Sequence, residues 1–426
     1  MLETFRNAWK VEDLRKKIIY TLIMLLIYRV GSVIPTPGVN VDYIAQQVNN
    51  ISMLGMLDFI NGQNFSNFTI FAMGISPYIT SSIIMQLLTI AIPSLERLQK
   101  EGEEGRKKIA EITRVVTIAL GCIMALGIIL GLGSGAMAKG ANANFFDYAL
   151  VFVVLAAGTA FTMWIGERIT ENGIGNGVSL LIFVGIIASF PGEVFTGIQS
   201  VIAKPVTAWF IPLVIVGVLL IIVGIVFVDS GVRRVPVQYA KRQVGRKMYG
   251  GQASTLPMKV NMSGVLPIIF AQSIAMIIPT VAAFLPAPEK GTFAYTLVNA
   301  VDSKSVLYMI VYFLMIIAFS YFYATIQFNP VEISNNLKKN GGFIPGFRPG
   351  KPTADFIKKV LNKVTLFGAI YLGVVAILPL LIGKIVNVSS LSIGGTSVII
   401  VVGVALETVQ ALESQMLMRQ YKGFLE

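Results

Sequence analysis

Histidine is absent from this chain of 426 residues, and there is a single cysteine, Cys122. One cysteine cannot form a disulfide within the chain. Without histidine there is no His-ligated metal site and no Ser–His or Cys–His hydrolase pair. Charged residues are also scarce, at 13% of the chain, whereas a soluble domain carries about 25%. Much of the surface therefore faces something other than water.

Apolar residues make up 55% of the chain, and they occur in long uninterrupted runs. A helix rising about 1.5 Å per residue needs about 20 residues to cross a membrane. The sequence therefore predicts an all-α polytopic membrane protein with ten transmembrane helices. The ten predicted spans lie at roughly 18–34, 68–92, 111–132, 148–166, 177–190, 208–228, 264–285, 305–328, 364–385 and 395–416.

Basic residues lie almost entirely on one side of these spans. Of the 34 Lys and Arg residues, 28 fall in the tails and loops on the side of the N-terminus and 6 on the other side. The positive-inside rule then predicts that both termini are cytoplasmic. Residues 3–17 are expected to form an amphipathic helix at the membrane interface. A solvated basic tail is the alternative.

The connection at about 191–207 divides the chain into halves of five spans, residues 1–190 and 208–426. Because five is odd, the second half begins on the opposite side of the membrane from the first, as in an inverted repeat. This prediction rests on topology, since internal sequence similarity between the halves is weak. Inverted repeats commonly move against each other around a central pathway.

The apolar cores of the predicted spans contain almost no charge. An intramembrane aspartyl protease needs two facing carboxylates, and an ion-coupled carrier needs a titratable group in the membrane. The exception is Glu407, about one turn from the cytoplasmic end of the tenth span. We interpret it as a capped or interface-facing carboxylate, with a proton relay as the alternative. Any pathway is then expected to be wide or weakly selective.

Two predicted cytoplasmic loops, at about 229–263 and 329–363, are unusually long. Each has about 35 residues, whereas a connection usually has about 4–6. Their charge can be explained by topogenesis alone, or by a docking surface for an acidic or phosphate-bearing partner. Residue types do not decide between the two. The basic residues of such a surface are Arg233, Arg234, Lys241, Arg242, Arg246, Lys247, Arg348 and Lys351.

The second span is rich in small and polar residues, including Thr80, Ser81 and Gln86. Close helix packing is one explanation. A buried glutamine nevertheless needs a partner, and the seventh span offers Gln272 and Ser273. Polar residues between two otherwise apolar helices predict an interface that opens.

The segment 52–67, which precedes the second span, is too short to cross the membrane and too apolar for an ordinary exposed loop. We expect it to lie at the lipid interface or to tuck back into the protein.

Five motifs occur in order along nearly the whole chain. They are FAMGISPYITSSIIMQLLT (71–89), ENGIGNGVSLLIF (171–183), VPVQYAKRQVGRK (235–247), KVNMSGVLPIIFA (259–271) and GGFIPGFRPGKPT (341–353). Together they resemble the SecY family, whose members are channel subunits of the bacterial protein translocon. The resemblance implies an hourglass channel between the two halves, closed at its waist by isoleucines and sealed outside by a short plug helix.

The resemblance assigns roles to particular positions. The waist residues match Ile75, Ile79, Ile182, Ile186, Ile269 and Ile400. The plug, at about 52–67, includes Leu57, Asp58, Phe59, Ile60, Asn61, Gly62 and Asn64. The lateral gate between spans 2 and 7 matches Thr80, Ser81, Gln86, Gln272 and Ser273, and the basic loops match the docking site for a motor or ribosome.

The function implied is a passive, gated channel in the bacterial cytoplasmic membrane. It would move unfolded preproteins across the membrane and membrane-protein helices sideways into it. The expected partners are the small subunits SecE and SecG, the SecA motor ATPase, the ribosome, signal sequences with their preproteins, and anionic lipids. No P-loop or catalytic constellation is present, so we expect neither enzyme activity nor a cofactor. An inverted-repeat transporter of a small solute, or a scaffold without a pathway, is the alternative.

Overall fold

The computed structural model describes residues 6, 8–50, 58, 61–202, 210–239, 242–244, 247–249, 253–262, 264–284, 305–386 and 389–422. A helix coincides with each of the ten predicted spans. These helices are α1 (Glu12–Gly31), α3 (Ser76–Ala91), α5 (Glu103–Leu132), α6 (Phe145–Asn172), α7 (Gly177–Ile202), α8 (Phe210–Asp229), α9 (Leu266–Phe284), α10 (Val306–Gln327), α12 (Lys351–Val386) and α13 (Ser389–Lys422). Shorter helices are α2 (Val41–Asn50), α4 (Pro93–Lys100) and α11 (Pro330–Lys339).

Within the described residues, five helices are long and apolar enough by themselves to cross a membrane. The bent pair α3 and α4, which meet at 99°, forms a sixth candidate. Described stretches of α7, α8 and α9 are shorter apolar helices. The polytopic helical architecture predicted from the apolar runs is therefore confirmed.

The second span begins later than predicted. Residues 68–75 form turns and α3 starts at Ser76. Gly74 and Phe68 have φ values of 54° and 40°, a left-handed backbone that interrupts a right-handed helix. Pro77 lies in the first turn of α3, where a missing N–H leaves no helical bond unmade. These turns place Ile75 directly before the helix.

The two long loops predicted to be cytoplasmic are folded rather than irregular. The first contains the antiparallel pair β1 (Val232–Tyr239) and β4 (Ala253–Lys259), in register from Val232 opposite Lys259. Between them lie the paired strands β2 (Arg242–Val244) and β3 (Lys247–Tyr249). The second loop contributes α11, β5 (Gly342–Phe343) beside β1, and the first turns of α12. Both long loops predicted from the sequence therefore contain regular structure.

The strands and helices of these two loops share a small hydrophobic core. Arg233, near the start of β1, is exposed. From Arg234 onward the side chains alternate, so that Arg234 and Pro236 are exposed while Val235 and Val237 point inward. They pack with Met258, Ile344 and Ile357. A two-residue period of this kind is what a half-buried strand requires.

The fifth predicted span, 177–190, lies within α7, which continues through Pro191 to Ile202.

The helices of each half pack mainly on one another, and the halves meet along two seams. In the first half, α3 contacts α5, α5 contacts α6 and α6 contacts α7; in the second, α12 contacts α10 and α13. One seam joins α7 to α13, and the other joins α3 to α9. We call these the closed seam and the polar seam, respectively.

Glycines allow close approach at particular points. A Cβ on Gly158 of α6 would overlap the carbonyl oxygen of Ile70, in the turns that precede α3. A Cβ on Gly121 of α5 would lie only 3.3 Å from Thr159. Small residues at helix contacts are the usual means by which membrane helices pack closely.

We expect Gly158→Ala to destabilise the protein, because the added methyl would displace backbone that positions α3. Overpacking of this kind costs about 1–3 kcal/mol. Gly127→Ala on α5 is the matched control, since a Cβ there meets nothing within 4 Å. Thermal unfolding in detergent should show a lower midpoint for Gly158→Ala only. Equal midpoints for the two variants would contradict the close contact.

Candidate functional site

Six isoleucines from four helices meet in one buried cluster. They are Ile75 and Ile79 at the start of α3, Ile182 and Ile186 on α7, Ile269 on α9 and Ile400 on α13. We call them the isoleucine waist. Each is between 1% and 6% exposed. The i, i+4 spacing on α3 and α7 places both isoleucines of each pair on one helix face.

The waist is part of a larger apolar cluster. Ile83, Ile165, Ile169 and Val404 are equally buried in it, and the analysis of the sequence did not select them. They belong to the same helices or to α6 beside them. Burial therefore brings the six isoleucines together, but does not by itself distinguish them from their neighbours.

The described part of the predicted plug is a compact turn around Asp58. Its Oδ1 accepts hydrogen bonds from the backbone N–H of Phe65, at 2.9 Å, and of Ser66, at 2.8 Å. Its carbonyl oxygen accepts another from Gln63, at 2.8 Å. Burial raises the pKa of Asp58 above its ordinary value, and these hydrogen bonds oppose the shift. Leu57, Phe59 and Ile60 lie outside the described residues.

This turn rests directly on the waist. A Cβ on Gly62 would lie 3.0 Å from Cα of Gly185, which is between Ile182 and Ile186 on α7. A Cβ on Gly74, next to Ile75, would overlap the side chain of Asn61. The two backbones therefore approach each other directly at Gly62, whereas at Gly74 the Asn61 side chain packs against the backbone.

The turn is also tied to the first helix. Arg29 Nη1 donates to the carbonyl oxygen of Gly62 at 3.4 Å, and Asn64 Nδ2 donates to the hydroxyl of Tyr28 at 3.3 Å. Asn64 is fully buried, and its Oδ1 has no partner within the part of the chain that the structure describes. Two polar contacts to α1 therefore hold the turn over the waist.

Gln86 crosses the polar seam, but to a partner that the sequence did not predict. Its Oε1 accepts a hydrogen bond of 2.7 Å from the hydroxyl of Tyr323 on α10. The Tyr323 ring also lies 5.3 Å from that of Phe270 on α9. Gln272 is buried on α9, and its Nε2 has no partner among the described residues. The sequence offered Gln272 and Ser273 on α9 as possible partners of Gln86, but the structure pairs it with Tyr323 on α10 instead.

The other predicted gate residues satisfy their hydroxyls elsewhere. Ser81 is buried against α5, where its Oγ bonds to the Thr113 carbonyl oxygen at 3.2 Å and to the Thr117 hydroxyl. It therefore does not face α9. Thr80 and Ser273 donate to carbonyl oxygens one turn back in their own helices, at 3.1 Å and 2.8 Å. Such bonds are common for serine and threonine within helices.

The predicted basic surface is exposed where its side chains are described. Arg233 and Arg234 project from β1, Arg348 lies in the turn after β5, and Lys351 begins α12. None of the ion pairs between described residues includes Arg348. Arg242 and Lys247 lie on the short pair β2 and β3. Lys241 and Arg246 fall outside the described residues.

Hydrogen bonds fix the backbone around Arg348, whereas the Arg348 side chain is exposed. Thr353 Oγ1 donates to the Arg348 carbonyl oxygen at 2.8 Å, and Ser334 Oγ donates to that of Gly350 at 2.7 Å. The rings of Phe347 and Phe356 lie 4.2 Å apart. Gly346 and Gly350 have φ values of 87° and 105°, which few other residues adopt.

Glu407 lies on α13 and caps the start of a different helix, α9. Its Oε1 accepts from the backbone N–H of Val265, at 3.4 Å, at the start of α9. The capped interpretation is therefore confirmed. No group of three or more potential metal ligands occurs in the described portion of the chain.

The family model for SecY matches residues 69–409. A curated relative, protein translocase subunit SecY of Mycobacterium tuberculosis, is 44% identical over the full length of both chains. The chain belongs to the SecY family. Among solved structures, a protein-conducting channel matches with a TM-score of 0.66 and 19% identity over 94% of this chain and 92% of that one. Sec61 in the canine ribosome–channel complex has a TM-score of 0.62 and 18% identity, with the same coverage.

Family membership agrees with the architecture of two helical halves, and the TM-scores support the same fold. The polar contact between Gln86 and Tyr323 is the feature that the sequence analysis missed. The eighth span contains four tyrosines, and nothing in the sequence indicates which of them has a partner on another helix.

We expect Tyr323→Phe to loosen the polar seam, because it removes the hydroxyl donor and keeps the ring. A net hydrogen bond contributes about 0.5–1.5 kcal/mol, so the equilibrium constant between closed and separated α3 and α10 should shift by up to about tenfold. Spin labels at Leu87→Cys and Ile326→Cys in a Cys122→Ala background would report it. Both positions are exposed.

Tyr321→Phe is the matched control, since Tyr321 donates to Asn362 within the second half, at 3.1 Å. The distance distribution should lengthen for Tyr323→Phe and stay unchanged for Tyr321→Phe. Identical distributions in the two variants would mean that the hydroxyl does not hold the seam.

Proposed function

We propose that this chain works as a passive gated channel in the bacterial cytoplasmic membrane, with both termini in the cytoplasm. It moves unfolded preproteins across the membrane and passes membrane-protein helices sideways into lipid. Membership of the SecY family makes it a protein translocation channel subunit, not a carrier of small solutes. The observation that carries the proposal is the isoleucine waist, built from both halves beneath a bound plug turn.

The waist has the chemistry of a seal for a protein-conducting pore. A narrow apolar constriction excludes water and therefore ions. Isoleucine side chains offer no hydrogen bonds that would retain a passing polypeptide. Because α3 and α7 belong to one half and α9 and α13 to the other, separation of the halves would widen the ring without unfolding a helix.

The polar seam supports the role of a lateral gate. Gln86 on α3 is half-buried and Gln272 on α9 is buried, and the hydrogen bond from Tyr323 to Gln86 joins the two halves there. A single such bond is weak enough to break when a signal sequence enters. Thr80, Ser81 and Ser273 then act in packing of the gate helices rather than across the gate, because their hydroxyls are satisfied elsewhere.

The basic surface supports docking of a cytosolic partner. Family members act with other subunits, and the related Sec61 was solved in a ribosome–channel complex. For this chain we propose the SecA motor and the ribosome on the surface around Arg234 and Arg348. SecE, SecG and anionic lipids are proposed around the helices. A motor or ribosome supplies the energy that a passive channel needs.

Replacing two waist residues should open the seal. Ile79→Asn with Ile400→Asn would hydrate the ring from both halves and raise the resting ion conductance in planar bilayers. Ile79→Leu with Ile400→Leu keeps the apolar volume and should leave the conductance low. Resting conductance that is equally low in both double variants would contradict the seal.

Arg348→Glu should impair translocation driven by SecA while leaving the fold intact. Exposed substitutions usually change stability by less than about 0.5 kcal/mol. The guanidinium fork can bind a carboxylate or phosphate through two hydrogen bonds, which lysine cannot do. Arg348→Lys should therefore be intermediate. The measurement is preprotein import into proteoliposomes with SecA and ATP, beside a melting curve.

Lys107→Glu is the matched control, because it reverses an exposed charge on α5 far along the chain from this turn. Equal import by the native protein and Arg348→Glu would remove the docking role. Equal loss in both charge-reversed variants would show a general charge effect instead.

A further inference from the structure

The segment 260–265 joins the basic hairpin of β1 and β4 to α9. We call it the junction; within it, residue 263 lies outside the described residues. It is short, and three helices of the second half hold it. These few residues are the direct covalent connection between the hairpin and α9.

One helix, α13, grips both ends of the junction. Gln410 Oε1 accepts from Lys259 Nζ at the end of β4. Glu407 Oε1 accepts from the backbone N–H of Val265, which precedes the first residue of α9. Residues three apart on a helix lie on the same face, so Glu407 and Gln410 bond to the two ends of the junction from one face of α13.

The contact between α13 and the junction requires glycine on both sides. Gly264 has a φ of 64°, and a Cβ on it would overlap Oε1 of Glu407. A Cβ on Gly403, one turn before Glu407, would overlap Cγ2 of Val265. The carboxylate is therefore packed against the backbone that starts α9.

The opposite side of the junction is held by α8 and α12. Asn261 Nδ2 donates to Asp229 Oδ1 at 2.8 Å and to the Gly264 carbonyl oxygen at 3.1 Å. Val260 N–H donates to the Gly231 carbonyl oxygen at 2.9 Å. A Cβ on Gly368 of α12 would lie 2.7 Å from the Val260 carbonyl oxygen. The junction is thus clamped on both faces.

A carboxyl group suits this position because the first turn of a helix exposes N–H groups without partners. Glu407 Oε1 accepts from the N–H of Val265, the residue directly before α9. Since Glu407 does so from a neighbouring helix, it joins α9 to α13.

We propose that Glu407 is a positioning residue that fixes the first turn of α9 to α13. The helix then moves with the second half when a partner displaces the hairpin, instead of losing its first turn. The proposal rests on the proposed function, since it assigns to the junction the transfer of motion from the docking surface to the polar seam.

A cysteine pair tests the attachment directly. The Cβ position of a residue at 403 lies 3.6 Å from Cβ of Val265, within the range of about 3.5–4.5 Å for disulfides. Val265→Cys also removes the methyl that a side chain at 403 would overlap. The pair Val265→Cys with Gly403→Cys is made in a Cys122→Ala background and oxidised in membrane vesicles.

With native Glu407 the pair should crosslink quickly and translocate preprotein when oxidised. Adding Glu407→Ala should slow crosslinking about tenfold and lower translocation in the reduced state, and prior oxidation should restore translocation. Glu407→Gln, which keeps a neutral acceptor, should be intermediate. Glu104→Ala, in the first turn of α5, removes a carboxylate at a helix N-terminus within one helix and should change neither readout.

Several results would overturn the proposal. These are an unchanged crosslinking rate in Glu407→Ala, a translocation defect that the disulfide does not restore, and a block by the disulfide with native Glu407. The crosslinking rate needs no transport. If it falls in Glu407→Ala while the native protein moves no preprotein, the attachment stands and the proposed function fails.

Discussion

In the proposed function, the apolar seal at the isoleucine waist is the constraint on which the other features of the protein depend. A pore wide enough for a polypeptide must still exclude ions at rest, and polar lining residues would hold water in it. The seal therefore has to be apolar, and it has to come from helices that can separate. Ile79 on α3 and Ile400 on α13 satisfy both conditions, since they lie in opposite halves and in one buried cluster.

The two seams between the halves differ in the way this arrangement needs. On the closed seam, Ile174 and Leu412 share a small hydrophobic core, and a Cβ on Gly175 would contact Thr408. On the polar seam, the half-buried amide of Gln86 accepts a hydrogen bond from the Tyr323 hydroxyl. The apolar contacts of the closed seam persist when the helices shift slightly. The hydrogen bond of the polar seam is lost once its two atoms separate. Opening is therefore expected at the polar seam, with the closed seam acting as the hinge.

Much of this architecture could be predicted from the sequence, because membrane spans are dictated by long apolar runs. The positions of all ten helices follow from that signal, but their ends do not. Gly74 and Phe68 interrupt the second run through backbone conformation, which hydropathy cannot register. The strands β1 and β4 were missed because their alternation is short and lies among basic residues.

The candidate site was predictable in its members more than in its contacts. The six isoleucines were selected by resemblance, since isoleucines spaced four apart are ordinary in a membrane helix. Ser81 was expected on the face toward the seventh span, yet its hydroxyl is buried against α5. Which side of a helix meets which neighbour depends on packing between distant segments, and a single sequence does not contain that information in a readable form.

The most direct test of the central claim follows a preprotein arrested in transit. A photoreactive residue is moved stepwise along the arrested chain, and crosslinks to single cysteine-tagged waist positions are scored. The account predicts that one preprotein position contacts both Ile182 on α7 and Ile400 on α13, with neighbouring positions giving weaker crosslinks. Crosslinks to only one half at every position, or to lipid alone, would show that the polypeptide does not pass through the waist.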